Sequence, residues 1–336
     1  FIAYNYNTPI DVAVFENQAK RILREVEEEC GWMYETIHSD GETKGKINYT
    51  VWSDVFFCPD CTEEVVFSKS AVDQQNGSVK KNFSCPNCNS PLSKRSLDRA
   101  WASQYDDSLK KTIKKAKQVP VIIDYSIGKQ RFSKQPDDLD LEVIRKIDSS
   151  VIPYDFPNIR LIDGKETRRN DVIGITHMHH FYFKRGLWVL GCAYQKAYEL
   201  PENIKRYILF TIQQAVQGFA KISRYVPTHF SQVNQYLSGT LYVGSQVVDV
   251  SLPYILDGKI KRLSNILKKS YHYSNQVITT QDSSSFAMPS DSFDYIFIDP
   301  PFGSNLNYSE LNFLWESWLK IWTNNKTEAI ENSVQG

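Results

Sequence analysis

The chain of 336 residues is 41% hydrophobic and 23% charged, with 39 Lys and Arg against 39 Asp and Glu. These are the proportions of a globular protein large enough to bury a core and carry an inserted domain. No signal peptide and no apolar run near the ~20 residues that span a bilayer can be read, so a cytoplasmic protein with no membrane partner is expected.

Pro9 and Asp11 introduce a helix from about residue 11 to Cys30, with Val12, Phe15, Ala19, Ile22, Leu23 and Val26 on one face and Gly31 as its stop. Cys30 reads as a small buried residue. Short β-like runs follow around Cys58-Pro59-Asp60-Cys61 and Cys85-Pro86-Asn87-Cys88. Two Cys-x-x-Cys pairs suit one tetrahedral zinc ion, and in a cytoplasmic chain disulfides are disfavoured. Four thiolates from Cys58, Cys61, Cys85 and Cys88 would close the coordination sphere, so the Zn2+ is expected to be structural.

Residues 89 to 150 read as a linker or accessory segment with a strand at Val119–Ile123 and a polar stretch at Pro136, Asp137 and Asp138. Next come Arg168 and Arg169, then His177, His179 and His180 and the pair Lys184-Arg185. As a strand, the histidine stretch would put His177 and His179 on one side and His180 on the other, with no acidic partner at helical spacing, which argues against a metal. Arg168, Arg169, Lys184 and Arg185, interleaved with aromatics, suit phosphate and base contacts.

Helices are expected at about 186–199 and 201–223, the second opened by Pro201. A glycine-flanked strand at 239–245 and a helix from Asp257 to about Lys269 complete the middle of the chain. Net charge is zero and argues against indiscriminate wrapping of nucleic acid. The lysines nevertheless cluster at 110–117 and 259–269. Such runs are usually solvated faces and support a polyanionic partner only weakly.

Val277–Asp282 reads as a strand ending in an acid, and Asp294–Ile298 as a second, buried strand whose continuation is blocked by Asp299-Pro300-Pro301-Phe302. That combination has a chemical logic. The exocyclic nitrogen of adenine is a poor nucleophile until acceptors bind its hydrogens and stabilise the charge that develops on transfer. The Asp299 carboxylate and the Pro300 carbonyl, fixed by two prolines, offer those acceptors, and Phe302 offers a face for an unstacked base. The helix after Tyr308 carries Leu311, Leu314, Trp315, Trp318 and Leu319 at core spacing.

These residues resemble the AdoMet-dependent amino-methyltransferases, whose fourth motif is (Asp/Asn/Ser)-Pro-Pro-(Tyr/Phe/Trp). Asp299 in its first place resembles the adenine-N6 branch. The stretch from Asp282-Ser283 through Met288-Pro289 to Phe293-Asp294 is similar to the third motif, which implies that Asp282, with Ser283, meets the cofactor S-adenosyl-L-methionine. Asn305, Tyr308, Ser309 and Glu310 resemble the corresponding pattern in a branch of adenine-specific DNA methylases with an internal zinc ribbon. Asn305 and Tyr308 join the nucleic-acid candidates on that ground.

The resemblance implies an α/β fold: a partial Rossmann-like methyltransferase core at 1–31 and 257–336. An α+β insertion would interrupt it, holding the zinc ribbon at 32–150 and a mainly helical, target-recognising part at 151–256. No Phe-x-Gly-x-Gly loop is present, and the chain starts at Phe1. A fragment cut after the first two motifs, inactive alone, is therefore expected. The implied activity is methylation of adenine N6, flipped out of double-stranded DNA, with a restriction-modification partner. An RNA base amino-methyltransferase and a non-catalytic zinc-ribbon nucleic-acid-binding module are the alternatives.

Overall fold

The computed structural model describes residues 1–73, 75–269, 277–279, 288–299 and 306–323. After a short helix α1 (Ile2–Asn7), helix α2 (Val12–Cys30) forms where its apolar spacing predicts. Asp11 caps it, its Oδ1 accepting from the Ala13 and Val14 amides at 2.9 and 3.1 Å. Two otherwise unsatisfied helix-end donors are thereby used. Phe15, Ala19, Ile22, Leu23, Val26 and Cys30 are buried on one stripe. Gly31 follows as expected, but in right-handed geometry, leading into a 3₁₀ turn at Gly31–Tyr34.

Strand β1 (Glu35–Ile37) turns into β2 (Lys44–Phe57), a 14-residue strand rich in β-branched and aromatic residues. This strand is the spine of the molecule. Strand β3 (Glu64–Val66), helix α3 (Phe67–Ala71) and the two-residue strands β4 (Phe83–Ser84), β5 (Pro91–Leu92) and β6 (Asp98–Arg99) come next. A hairpin of β7 (Trp101–Asp106) and β8 (Lys111–Ala116) then leads to β9 (Gln118–Ile127) and β10 (Gln130–Lys134). The predicted strand at 119–123 lies in the first half of β9. Along β2, β9 pairs with residues 46–54 on one edge, while β1 and β11 (Gln246–Val250) occupy the other. At its far end β2 pairs with β3 and β6. The fold is mixed α/β, and every strand pairing among the described residues is antiparallel.

The polar stretch read as a linker is helix α4 (Asp138–Ser149). Asp137 and Asp140 form a reciprocal capping box at its start. Beyond the one-turn helix α5 (Lys165–Arg168) lie α6 (Lys184–Tyr198) and α7 (Glu202–Phe219), close to their predicted spans. Helix α8 (Leu252–Lys269) starts five residues earlier than its sequence suggests, because Leu252, Ile255 and Leu256 are buried and extend its inward face. Residues 239–245 do not form the expected strand; the β-structure falls on β11 just after them. Helix α9 (Tyr308–Leu319) buries Phe313, Leu314 and Trp318, with Leu311 and Trp315 packed alongside.

One hydrophobic cluster unites Phe15 of α2, Ile47 and Val51 of β2, Leu190 of α6, Val216 of α7, Leu263 of α8 and Trp318 of α9. Residues from all four segments distinguished in the sequence thus share a core. A second cluster, around Phe56, Val65, Phe67, Phe83 and Leu92, lies at the far end of β2 and includes Cys58 and Cys85.

The expected buried strand at 294–298 is not formed. Tyr295, Ile296, Phe297 and Ile298 are 80, 67, 78 and 73% exposed and pair with no strand among the described residues. A run of this composition becomes a strand only when a neighbour takes up its backbone groups and covers its side chains. Val277–Thr279, the described part of the other predicted strand, also carries no strand.

At the junction of helices and sheet, Arg185 of α6 is buried against Asp249 of β11. Its Nη2 donates to Thr50 Oγ1 of β2 at 2.7 Å and its Nη1 to the Met33 carbonyl at 3.2 Å, while the guanidinium lies 4.5 Å from the Tyr34 ring centre. Removing one partner of such a pair leaves an uncompensated charge in the interior and costs about 3–5 kcal/mol. Asp249→Ala should destabilise the chain by about that amount in urea unfolding, and Asp249→Leu combined with Arg185→Leu should recover most of it.

Candidate metal centre

The four paired cysteines converge at the end of β2. Cys58 follows Phe57 directly, so the spine of the sheet delivers the first ligand. The two knuckles are built alike. Thr62 and Asn89, the residues after Cys61 and Cys88, adopt left-handed φ of 61° and 59°. Thr62 N donates to the Cys58 carbonyl at 2.9 Å and Asn89 N to the Cys85 carbonyl at 3.1 Å. Cys58 N and Cys85 N donate in turn to the carbonyls of Glu63 and Ser90, each at 2.9 Å. Two tight turns from different parts of the chain therefore present their sulfurs to one point.

The sulfur geometry discriminates between disulfides and a metal. Cys58 Sγ lies 3.8 Å from Cys88 Sγ and Cys61 Sγ 3.7 Å from Cys85 Sγ, and all four sulfurs fall within 4.8 Å of one another. A disulfide needs about 2.05 Å. A tetrahedron with metal–sulfur bonds of about 2.3 Å has sulfurs about 3.8 Å apart. The cluster fits a tetrahedral thiophilic ion. Cys88 is the exposed member, and its hydrogen bond with the Ser90 hydroxyl, aided by the Ser90 backbone, holds its thiol down to about 6, favouring the ligating thiolate.

A second group lies under the β7–β8 hairpin. Asp106 Oδ2 accepts from His179 Nε2 at 2.7 Å and from His180 Nε2 at 3.0 Å. The histidines are not on a strand: Met178–Phe181 is a 3₁₀ turn, which lets both rings face the same carboxylate. The acidic partner that sequence spacing did not supply stands 73 residues upstream of His179. Three such side chains within reach of one point could hold an ion, but the tautomer opposes it. His180 Nδ1 faces the amides of Thr176 and His177 at 3.2 and 3.4 Å and must accept from them, which leaves its single proton on Nε2, pointing at Asp106. Ligation through Nε2 would require that proton on Nδ1, against two N–H groups. The group is a hydrogen-bonded clamp between the hairpin and the 3₁₀ turn. Burial opposes the Asp106 charge, yet the two histidine hydrogen bonds outweigh it and hold the carboxyl down to about 2. Burial, then repulsion from His179, brings His180 down to about 3.

The cations expected to meet phosphate are mostly engaged elsewhere. Arg185 is buried in its ion pair with Asp249, so it cannot serve a nucleic-acid surface. Arg168 pairs with Asp163 and Asp171, and Arg169 with Glu166 and the Thr240 hydroxyl. Lys184 alone of the four makes no ion pair among the described residues; its Nζ donates to the Asp148 carbonyl at 2.7 Å. Asp299 is exposed, and so is Tyr308 at the start of α9. Pro300, Pro301, Phe302, Asn305, Asp282 and Ser283 lie outside the described residues.

Two residues beside Tyr308, Glu310 is fully buried. Its Oε2 accepts from Thr167 N at 2.7 Å and Thr167 Oγ1 at 3.1 Å. A Cβ at Gly164 would fall 1.9 Å from its carboxylate carbon, so only glycine leaves room. Helix α9 is thus anchored to the arginine-bearing segment 164–169. The sequence pattern singled out Glu310 but gave no sign of this partner.

No protein-family model matches the chain, and neither does any curated protein or solved structure. Among the described residues no helix is long and apolar enough to cross a membrane.

Two outcomes test this site. Metal analysis should give one zinc per chain. Because the second core is small, chelation or Cys85→Ser should abolish hydrogen-exchange protection between residues 58 and 97 while α2 and α6–α8 keep theirs. Acidification probes the clamp. Between the ordinary histidine value of 6.5 and about 3, the unfolded chain binds a proton that native His180 refuses, so stability falls as pH drops through that window. Asp106, depressed in the native state, adds a further loss as pH falls from 3.8 towards 2. Urea unfolding should weaken by about 1–2 kcal/mol from pH 7 to 5, and His180→Gln should flatten the slope.

Proposed function

We propose that this chain is part of an AdoMet-dependent amino-methyltransferase acting on the N6 amine of adenine in double-stranded DNA, with the four-cysteine centre holding a structural zinc. The observation that carries the reading is the order Asp294–Ile298, Asp299-Pro300-Pro301-Phe302, Tyr308-Ser309-Glu310 along the chain. The exposed Asp299 carboxylate and the buried Glu310 anchor support it, since they leave the acid accessible and tie the following helix to the body of the protein. The finer fold belongs to the same proposal. Residues 1–31 and 257–336 would complete a Rossmann-like core, with the chain between them as its insertion.

Asp299 accepts one N6 hydrogen and the Pro300 carbonyl the other, which turns the nitrogen lone pair outward and stabilises the charge that forms on it. Phe302 holds the flipped base by stacking, worth about 1–3 kcal/mol. Asp282 and Ser283 would hold S-adenosyl-L-methionine, which supplies the methyl group from a sulfonium when bound. Positioning then does most of the work, because the leaving group is already good. A cytoplasmic setting suits four thiols arranged as ligands and not as disulfides. A restriction-modification partner would belong to the same system.

A second reading is favoured by one observation: the apolar run 294–298 is paired with no strand among the described residues. It is that of a zinc-ribbon module that binds nucleic acid without catalysis. Asp299→Ala in the complete protein separates the two. The variant should lose methylation by at least about a hundredfold while binding DNA within twofold of the parent. Normal turnover would exclude Asp299 from the chemistry, and a parent with no activity on DNA or RNA would favour the module. A nucleoside digest of the product distinguishes DNA adenine from an RNA base.

A further inference from the structure

Two cavities of about 280 and 380 Å³ lie beneath the β7–β8 hairpin. Gln104, Lys115, Tyr182, Lys184 and Lys221 line both of them. Lys115 comes from the inner face of β8, Lys184 from the start of α6, and Lys221 from the turn after α7. Three lysines from three elements therefore line one space.

None of the three has a carboxylate within 4.0 Å among the described residues. Asp106 is turned onto His179 and His180, Asp249 onto Arg185, and Asp54 onto Arg99. Lys221 is 7% exposed, and the contact of its Nζ is the face of Phe183, 4.7 Å from the ring centre. An unpaired interior cation is costly and is retained in a fold only where something compensates it. Burial, then repulsion from Lys115, brings the Lys221 amine down to about 7, and the more distant Asp54, Asp148 and Asp249 do not offset them. With Arg185–Asp249 and Arg99–Asp54 neutral as pairs, four lysines, Lys110 included, face three carboxylates, Asp106, Asp107 and Asp148. One positive charge is left over.

We infer that the space between Lys115, Lys184 and Lys221 is a binding site for a phosphoryl oxyanion. A phosphodiester or dihydrogen phosphate carries the single negative charge that is missing. Neutral donors line the same space. Tyr182 accepts from Trp318 Nε1 at 3.2 Å, so its own proton is free to be donated, and the Gln104 amide offers further hydrogens. A carboxylate would also carry one charge, but cations brought from three elements suit a tetrahedral anion better than a planar one. The site is separate from Asp299 and stands whether or not the methyltransferase reading does.

The test measures thermal unfolding of the chain in inorganic phosphate against sodium chloride at equal ionic strength. Phosphate should raise the midpoint and chloride should not. Lys221→Met should unfold at the same temperature as the parent or higher without phosphate, since it removes an uncompensated charge. It should weaken phosphate binding at least tenfold. Lys184→Ala, nearer the surface, should weaken binding in the same direction and covers the case in which Lys221→Met does not fold. Absence of a phosphate-specific shift in the parent, or a shift undiminished in both variants, overturns the site. A DNA duplex titrated with and without phosphate names the source of the anion. Competition assigns the site to a backbone phosphate, and independent binding assigns it to a free phosphate or its ester; either result upholds the site.

Discussion

The contact on which the most elements depend is the buried ion pair of Arg185 and Asp249. Its guanidinium reaches β11 through Asp249, β2 through Thr50 and the turn after α2 through Met33, so one side chain from the first turn of α6 fixes the helical layer against two neighbouring strands. A leucine pair would fill the same volume at comparable stability. What the charged pair adds is directional, since its hydrogen bonds can be satisfied in one relative placement of helix and sheet only. The pairing also consumes Asp249, which would otherwise be a nearby counter-charge for Lys221. The organisation of the core and the charge excess under the hairpin are therefore linked.

The sequence displayed some of this architecture plainly. Helix α2 was legible because a cap, an apolar stripe and a terminal glycine agree on it, and the four-cysteine cluster because two Cys-x-x-Cys pairs have the spacing of a shared tetrahedral site. Helix α4 was hidden by its acidic start, since Asp137 and Asp138 look like a loop until Asp140 is seen closing the box. The 239–245 stretch misled in the opposite way, with β-prone residues and glycines just ahead of the segment that pairs with β2.

Long-range partnerships account for most of what was not legible. Arg185 stood beside Lys184 in a basic, aromatic stretch that looked suited to phosphate, and nothing local told that one faces Asp249 and the other a cavity. The histidines showed the same difficulty: their acid lies on another strand, and their turn is 3₁₀ rather than extended. Local pattern gives periodicity and caps, whereas the sign of a buried neighbour comes from elements far away in the chain. The Asp-Pro-Pro-Phe region stands apart, because its proposed chemistry rests on residue types alone while its placement beyond Asp299 lies outside the described residues.

Glu310 and Gly164 fill one another's space so closely that neither position can vary alone. A methyl group at 164 would demand a shorter residue at 310, and a shorter residue at 310 would leave the Thr167 amide without its acceptor. In related chains the two sites should accordingly drift as a couple, exchanged together or not at all. That correlated inheritance would tie the loop bearing the arginines to the helix behind the twin prolines, although 146 positions of sequence separate them.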